Sequence, residues 1–381
     1  MALRKLRGCY IARVDLAQPH LAGVARKIKA QVKALEAALG PVTLFTPAGT
    51  EVARDGQPIT RFGGGARGRR LLHFWRFYKT VGALREPIDY AYIRYQRTSP
   101  SFLWMLRTLR RRNPEMLIVV EFPTWPYRQE AVSLRERIYG LSDQFLSRFL
   151  RRYVNRIVTF SQATEIMGIP TIRTDNGTDV FAVEPLAPPQ DDGVLRLLGL
   201  ANLSFWHGYD RVLTGVKAYT DQGGSRRVIF EVVGAGNELP RLKADAARFG
   251  LEDIVRFHGP LSGEALTEVM GRCHIAISSL GLHRFPNDTS TLKSREYCAR
   301  GLPFAQGHTD RDFVDFPFSF PVPSDETPLD IGGLVAFFDD LKTRHPDYAR
   351  EMRMFAETRL TWEAKLKPVI ETMESLNSDR S

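Results

Sequence analysis

The chain has 381 residues, 43% of them hydrophobic and 25% charged, with a formal net charge of +10. Such a composition excludes collagen-like, low-complexity and disordered chains, and the length is enough for two separate cores. Three cysteines (Cys9, Cys273, Cys298) are too few for a disulfide scaffold and fit a reducing compartment.

Short β-rich runs alternate with longer amphipathic patterns along nearly the whole chain, which predicts parallel α/β architecture. In the first half, strands are expected over 9–14, 42–45, 90–95, 116–121 and 156–160, and helices over 22–39, 69–84, 101–112 and 130–153. Residues 180–193 (VFAVEPLAPPQDDG) carry three prolines and no helical period, and read as a linker. Beyond it, strands are expected over 195–200, 227–233, 254–258, 274–278 and 302–305, with helices over 209–219, 238–249, 262–270, 292–300 and 331–344. The last stretch, 346–376, reads helical with a break near Thr361 and Trp362. The pattern implies two doubly wound, Rossmann-like domains at 1–182 and 193–360, with a ligand cleft between their strand ends, and a closing helix over 361–381.

No aliphatic run reaches the roughly 18–20 residues of a membrane span, and the basic N-terminus lacks the apolar stretch of a signal peptide. A cytoplasmic protein is therefore expected. Its charge is uneven. Residues 1–180 hold 30 Lys+Arg against 14 Asp+Glu, a balance of +16, whereas residues 181–381 hold 23 against 29, a balance of −6. The first half is expected to face something anionic, either nucleic acid or a membrane surface.

Three segments carry the residue types of a nucleotide site. Gly234-Ala235-Gly236 follows a predicted strand and opens a helix, where glycines admit a phosphate to free N–H groups. With Leu239 where a dinucleotide fingerprint has its third glycine, an ordinary tight turn accounts for it equally well. Gly23 opens the first long helix in the same manner, with the same alternative. In the segment 288–301 (DTSTLKSREYCARG), Asp288 and Glu296 have seven residues between them, Ser290, Thr291 and Lys293 among these. Carboxylates accept paired hydrogen bonds from sugar hydroxyls, and a hydroxyl-rich helix start with a lysine suits a diphosphate. An N-capped amphipathic helix with solvated charges is the alternative. Asp310-Arg311-Asp312 matches the Asp-x-Asp pattern of metal-dependent transferases, but its context reads as a surface loop.

Taken in order, the segment 229–236 ending in Gly-x-Gly, VRFHGPLSGEALTEVMGRCHIAISS over 255–279, Asp288, Glu296 and Ala299-Arg300-Gly301-Leu302-Pro303 resemble the retaining glycosyltransferases of the GT-B fold, family 4 above all. Asn176-Gly177-Thr178-Asp179 and the Gly23 loop are similar to further family landmarks, and Trp362 falls where such chains place an aromatic as the closing helix, here 361–381, crosses back to the first domain, so the resemblance spans nearly the whole chain. WHGYDR together with LKSREYCARG is similar to a subgroup of bacterial exopolysaccharide and capsule assembly. Two departures stand out. Position 288 is Asp where the family has glutamate, and His207 precedes Gly208 where Lys-Gly is usual, with no arginine upstream.

The resemblance implies glycosyl transfer from a nucleotide sugar, a UDP- or GDP-sugar, with retention at the anomeric carbon and with no metal or cofactor. His207, Arg211 and Lys293 would surround the leaving diphosphate, helped by the backbone at Gly23, Gly208, Gly234 and Gly236. Ser290 and Thr291 would add donors, Glu296 would hold the ribose and Asp288 a sugar hydroxyl. It further implies a lipid-linked or glycan acceptor, with Glu121 and Trp125 at a strand end as its contacts. The mixed basic and aromatic segment 67–85 (RGRRLLHFWRFYKTVGALR) is the residue mix of an interfacial helix on an anionic inner-membrane surface. The rival readings are a GT-B-fold sugar-nucleotide epimerase and, in another class, a basic nucleic-acid-binding protein. The latter leaves Asp288 and Glu296 unexplained, so nucleic acid is not the expected partner.

Overall fold

The computed structural model describes residues 5–18, 21–61, 69–83, 85–125, 143–284 and 291–378, with backbone alone at 22, 61 and 69–74. The chain divides into two compact units, Met1–Asp179 with Trp362–Ser381, and Val180–Thr361.

The first unit runs β1 (Gly8–Ala12), α1 (Ala22–Leu39), β2 (Val42–Ala48), β3 (Glu51–Arg54), β4 (Gln57–Arg61), α2 (Arg69–Gly82), β5 (Tyr90–Arg94), α3 (Pro100–Arg112), β6 (Leu117–Phe122), β7 (Arg156–Thr159), β8 (Glu165–Ile166) and β9 (Ile169–Arg173). Its sheet has the order β4-β3-β2-β1-β5-β6-β7-β9-β8, parallel from β2 to β9, with β3, β4 and β8 added antiparallel at the edges. Strand residues point alternately to opposite faces, and β1 is buried along its whole length, so it feeds two cores. Cys9 and Ile11 pack with Phe77, Val81, Phe102 and Leu106 of α2 and α3. Tyr10 and Ala12 pack on the other side with Ile28, Leu35 and Leu39 of α1. Most of the helix expected over 130–153 lies outside the described residues; of its remainder, 143–147 is helical and Leu150–Arg152 is a 3-10 turn.

The second unit begins where a linker was expected. Val180–Ala182 form a 3-10 turn, and Val180 and Val183 are buried in the unit's core, because apolar side chains in a proline-rich run still find cover. There follow β10 (Val194–Leu200), α4 (Tyr209–Asp221), β11 (Arg227–Val233), α5 (Leu239–Arg248), β12 (Val255–Gly259), α6 (Gly263–Gly271), β13 (Ile275–Ile277), α7 (Leu292–Arg300), β14 (Phe304–Gln306), β15 (Ser319–Pro321), α8 (Ile331–Arg344) and α9 (Tyr348–Arg359). The sheet is wholly parallel, ordered β12-β11-β10-β13-β14-β15. Chain order therefore reverses between β10 and β13, and in open α/β sheets ligands bind outside the strand ends at such a reversal.

After Thr361 the chain rejoins the first unit as α10 (Trp362–Ser378). Trp362, Leu366, Val369 and Met373 recur every three to four residues and share one buried face, which joins the core under α1. Among the described residues, no helix is long and apolar enough to cross a membrane.

Candidate functional site

The reversal in the second unit is built from the loops after β10 and β13. Beyond β10 the chain makes a 3-10 turn, Phe205–His207, and enters α4 through Gly208. Gly208 has φ +67°, and a Cβ there would sit 2.8 Å from the Gly281 nitrogen, so both conformation and space demand glycine. The close approach lets Leu280 N–H donate to the His207 carbonyl at 3.0 Å and Gly281 N–H to that of Trp206 at 3.2 Å. The two loops are thereby fastened into one platform.

Two arginines lock the platform from beneath. Arg211, on the first turn of α4 and 2% exposed, gives its guanidinium to the carbonyls of Thr327, Leu280 and Pro323. The expectation that Arg211 faces the diphosphate is therefore corrected: its donors hold loop backbone. Arg284 pairs with both carboxylate oxygens of Asp210 at 2.9 Å and also binds Glu326 and the Phe205 carbonyl. No motif in the sequence pointed to Arg284, whose partners are up to 79 residues away.

On this platform lie His207 and Lys293. Ser204 N–H faces Nδ1 of His207 at 3.1 Å, whereas the nearby Ser204 carbonyl already accepts the His207 N–H. Nδ1 is therefore the acceptor, and the proton is assigned to Nε2. Burial, reinforced by the charge of Lys293, pulls the imidazole down to about 3, so it is neutral near pH 7 and presents an N–H donor. Lys293 stands in the first turn of α7, whose leading N–H groups lack intrahelical partners. Its Nζ is buried and has no hydrogen-bond partner among the described residues, and it lies 5.6 Å from the Tyr209 ring centroid. Burial pulls it down to about 7. An unpaired ammonium, an imidazole N–H and a helix start are groups that could together receive an anion.

The start of α7 is held by a hydroxyl cluster. Ser294 Oγ lies 2.8 Å from Ser278 Oγ and 2.7 Å from Thr291 Oγ1. Thr291, expected among the phosphate donors, stands at the N-cap position of α7 without a side-chain cap bond and, through this cluster, ties the helix to the end of β13. Fully buried Arg295 makes two bonds to Asp310, at 2.8 and 3.0 Å, and another to Asp312. This corrects the surface-loop reading of Asp310-Arg311-Asp312: Asp310 is 3% exposed and grips the core-facing side of α7. Among the described residues, no group of three or more His, Cys, Asp or Glu could hold a metal ion.

Glu296 lies one turn beyond Lys293 and makes only long contacts, 3.3–3.4 Å, with Arg300. Its carboxylate is thus weakly held and half-buried. Asp288 and Ser290 lie outside the described residues. Gly234 and Gly236 turn their hydrogens onto neighbouring backbone: a Cβ would fall 1.8 Å from the Ala201 carbonyl oxygen and 2.2 Å from that of Leu203. Their glycine requirement comes from loop packing. Gly23, in the first unit, is the opposite case, with open space around it at the start of α1.

The first unit gathers its polar side chains around Glu121, at the end of β6. This carboxylate is fully buried and accepts from Gln31 and Tyr92 on one oxygen, with Arg94 at 2.6 Å and Lys27 at 3.4 Å on the other. The expectation that Glu121 touches an acceptor is corrected, because its lone pairs are taken. Lys27 also donates to Asn176 at 2.9 Å and lies over the rings of Phe160 and Trp362. A Cβ on Gly177 would fall 2.9 Å from the Trp362 ring, so the Asn176-Gly177 segment and the start of α10 pack directly on each other. Lys27 was missed, although Lys27 and Gln31 are polar residues four apart on an otherwise apolar face of α1. Trp125 is half-buried against Phe122, its ring centroid 5.8 Å away.

Two Rossmann-like units, a β10/β13 reversal and a last helix returning to the first sheet are the parts of one architecture. The chain has the GT-B fold. It is similar to a glycosyltransferase from Rickettsia africae (14% identity, covering 98% of this chain and 99% of that one, TM-score 0.63). It is also similar to sucrose-phosphate synthase from Thermosynechococcus elongatus (15%, 98% and 99%, TM-score 0.62). A third similar structure is Anabaena Alr3699/HepE in complex with UDP and glucose (14%, 97% and 100%, TM-score 0.58). No family model matches the sequence, and no curated protein matches it. The GT-B assignment thus rests on structure, over nearly the full length of each chain.

Proposed function

We propose that the chain is a retaining glycosyltransferase that transfers a sugar from a UDP- or GDP-sugar to a lipid-linked glycan in bacterial surface-polysaccharide synthesis. The observation that carries the donor part is Lys293: a buried ammonium without a partner among the described residues, at a helix start beside the His207 donor. In the reaction, negative charge grows on the departing diphosphate. Lys293, the His207 Nε2–H and the first N–H groups of α7 would stabilise it in place, without reorganising. Glu296, one turn along α7, would accept from the ribose hydroxyls, and Asp288 from the donor sugar. Arg211 and Arg284 act as positioning residues that hold the platform. The acceptor hydroxyl has only to be held against the anomeric carbon. That HepE binds UDP and glucose, and that the Rickettsia protein is a glycosyltransferase, support this reading.

An acceptor on an anionic membrane is supported by the outer face of α2 and α3. Trp75 is 43% exposed and lies against Trp104, with ring centroids 6.2 Å apart, and Arg107 and Arg111 are exposed beside them. Phe77, from the same basic segment, is buried in the core, so only part of the segment is available to a surface.

The test is calorimetric titration of UDP, GDP and ADP into the protein and into Lys293→Met. Removing one charged hydrogen bond to a phosphate should weaken the best nucleotide about tenfold or more. Unchanged affinity, in a variant with an unchanged far-UV spectrum, would remove the proposed donor site. With a nucleotide sugar and no acceptor, release of free sugar would favour the epimerase reading.

A further inference from the structure

The first sheet has a chain reversal of its own. β1 lies between β2 and β5, parallel to both, so the chain leaves β1 on one side and later returns on the other. The crevice outside the carboxyl ends of strands at such a reversal is where open α/β sheets take ligands. Ala12, the last residue of β1, is in register with Arg94, the last of β5. Arg13 and Arg94 therefore stand at the mouth of this crevice, on opposite faces of the sheet.

Arg94 is anchored but not saturated. Its Nη1 donates to Glu121 at 2.6 Å, whereas Nε and Nη2 have no hydrogen-bond partner among the described residues. The side chain keeps 11% of its surface exposed, and neither of these nitrogens is sealed from solvent. Glu121 also has Lys27 at 3.4 Å, so two cations share one carboxylate and leave a positive surplus. Arg13 is fixed by a reciprocal pair: its Nε donates to Gln96 Oε1, and Gln96 Nε2 donates to the Arg13 carbonyl, both at 2.6 Å. The neighbouring acids are engaged elsewhere. Asp15 accepts from the N–H groups of Ala17 and Gly49 at 3.1 Å and from the Gln18 amide. Asp143, 1% exposed, accepts from the Tyr95 hydroxyl and the Thr98 N–H.

An oxyanion fits this set. The planar fork of arginine matches two oxygens of a carboxylate or phosphate, and a guanidinium already held in place loses little freedom on binding. A neutral hydroxyl would leave the surplus charge unbalanced. We infer that the crevice between β1 and β5 is an oxyanion subsite, where Arg94 and Arg13 take a phosphate or carboxylate borne by the acceptor. Naming the acceptor as its source rests on the glycosyltransferase reading, but the residues all belong to the first unit.

The test titrates the full chain with two anions and their neutral counterparts: geranyl phosphate against geraniol, and methyl glucuronide against methyl glucoside. At least one anion should bind at least tenfold more tightly than its counterpart. Preference for geranyl phosphate makes the source a lipid phosphate, and preference for the glucuronide makes it an acidic sugar. Arg94→Gln should weaken that anion about tenfold or more. Gln96→Glu should do the same by placing a carboxylate against Arg13, and because Gln96 is exposed this variant keeps the fold if Arg94→Gln does not. The inference is overturned if neither anion is preferred, or if Gln96→Glu binds it unchanged. Equal loss in Lys293→Met would overturn it too, by assigning the anion to the donor site. UDP titrated into the same samples separates the two readings. Anion binding without UDP binding would remove the donor site and leave this subsite, whereas UDP binding without anion preference would remove this subsite alone.

Discussion

A buried ammonium is costly unless an anion comes to it, and Lys27 and Lys293 meet that cost differently. Lys27 has Glu121 beside it, and burial still pulls it down to about 8. Lys293 has no such partner among the described residues and falls to about 7. Its folded value lies below that of the unfolded chain, so the unfolded state holds the proton more tightly. The group therefore destabilises the free protein fully below about pH 7, and the cost fades as pH rises towards the ordinary lysine range. A bound diphosphate reverses this by favouring the charged form. Nucleotide binding should thus take up a proton above pH 7, and affinity should fall by up to about tenfold per pH unit between pH 7 and 9. Titrations in buffers of different ionisation enthalpy measure that proton directly. A pH-independent affinity with no proton uptake would place the phosphates elsewhere. Glu121 gives the contrasting prediction. Glu121→Leu strands Lys27 and Arg94 and should cost about 3–5 kcal/mol in denaturant unfolding, whereas an acceptor-binding carboxylate at the surface would cost well under 1 kcal/mol.

Helix α10 belongs to the first unit only through its apolar stripe, so its docking should be sensitive to one side chain. Leu366→Ala leaves a cavity under α1 and should destabilise by about 2–5 kcal/mol. Chemical denaturation measures it, and a loss below about 1 kcal/mol would mean that the stripe contributes little. The same helix shows how much of the fold was legible in the sequence. Its stripe and the break at Thr361 are strong local signals, and the core strands of both sheets are short, mainly apolar runs. The edge strands carry weaker ones. The β3–β4 hairpin turns on Asp55-Gly56, both at positive φ, an Asp-Gly signal the sequence does contain. The β8–β9 turn uses Met167-Gly168 in the same way, and methionine announces no turn. β15 has three residues, too few for any period. At the candidate site, Lys293 and His207 could be read because they sit in local motifs. The partners of Arg211, Arg284 and Glu121 could not, because they are set by pairings across 27 to 116 residues that no local pattern encodes.

At the scale of the molecule, charge divides along the same line as structure. The first unit holds 33 Lys+Arg against 18 Asp+Glu, and the second holds 20 against 25. The proposed donor site, with one lysine and a helix start, could work inside an acidic unit because those donors would be buried and little screened. In the basic unit, the exposed charge among the described residues includes Arg107 and Arg111 beside the Trp75–Trp104 pair. A surface of that kind attracts anionic lipid at roughly 1 kcal/mol per basic residue, within a Debye length of about 8–10 Å. The protein should therefore sediment with vesicles containing phosphatidylglycerol, bind phosphatidylcholine vesicles weakly, and be released as salt rises. Arg107→Glu with Arg111→Glu should lower vesicle binding at least tenfold, since two attractive charges become repulsive, while leaving UDP titrations unchanged. Equal binding to neutral vesicles would make the contact apolar. Binding to a random RNA duplex that exceeds binding to the anionic vesicles, and disappears in the same double variant, would instead assign the basic face to nucleic acid, because phosphate backbones draw on the same arginines.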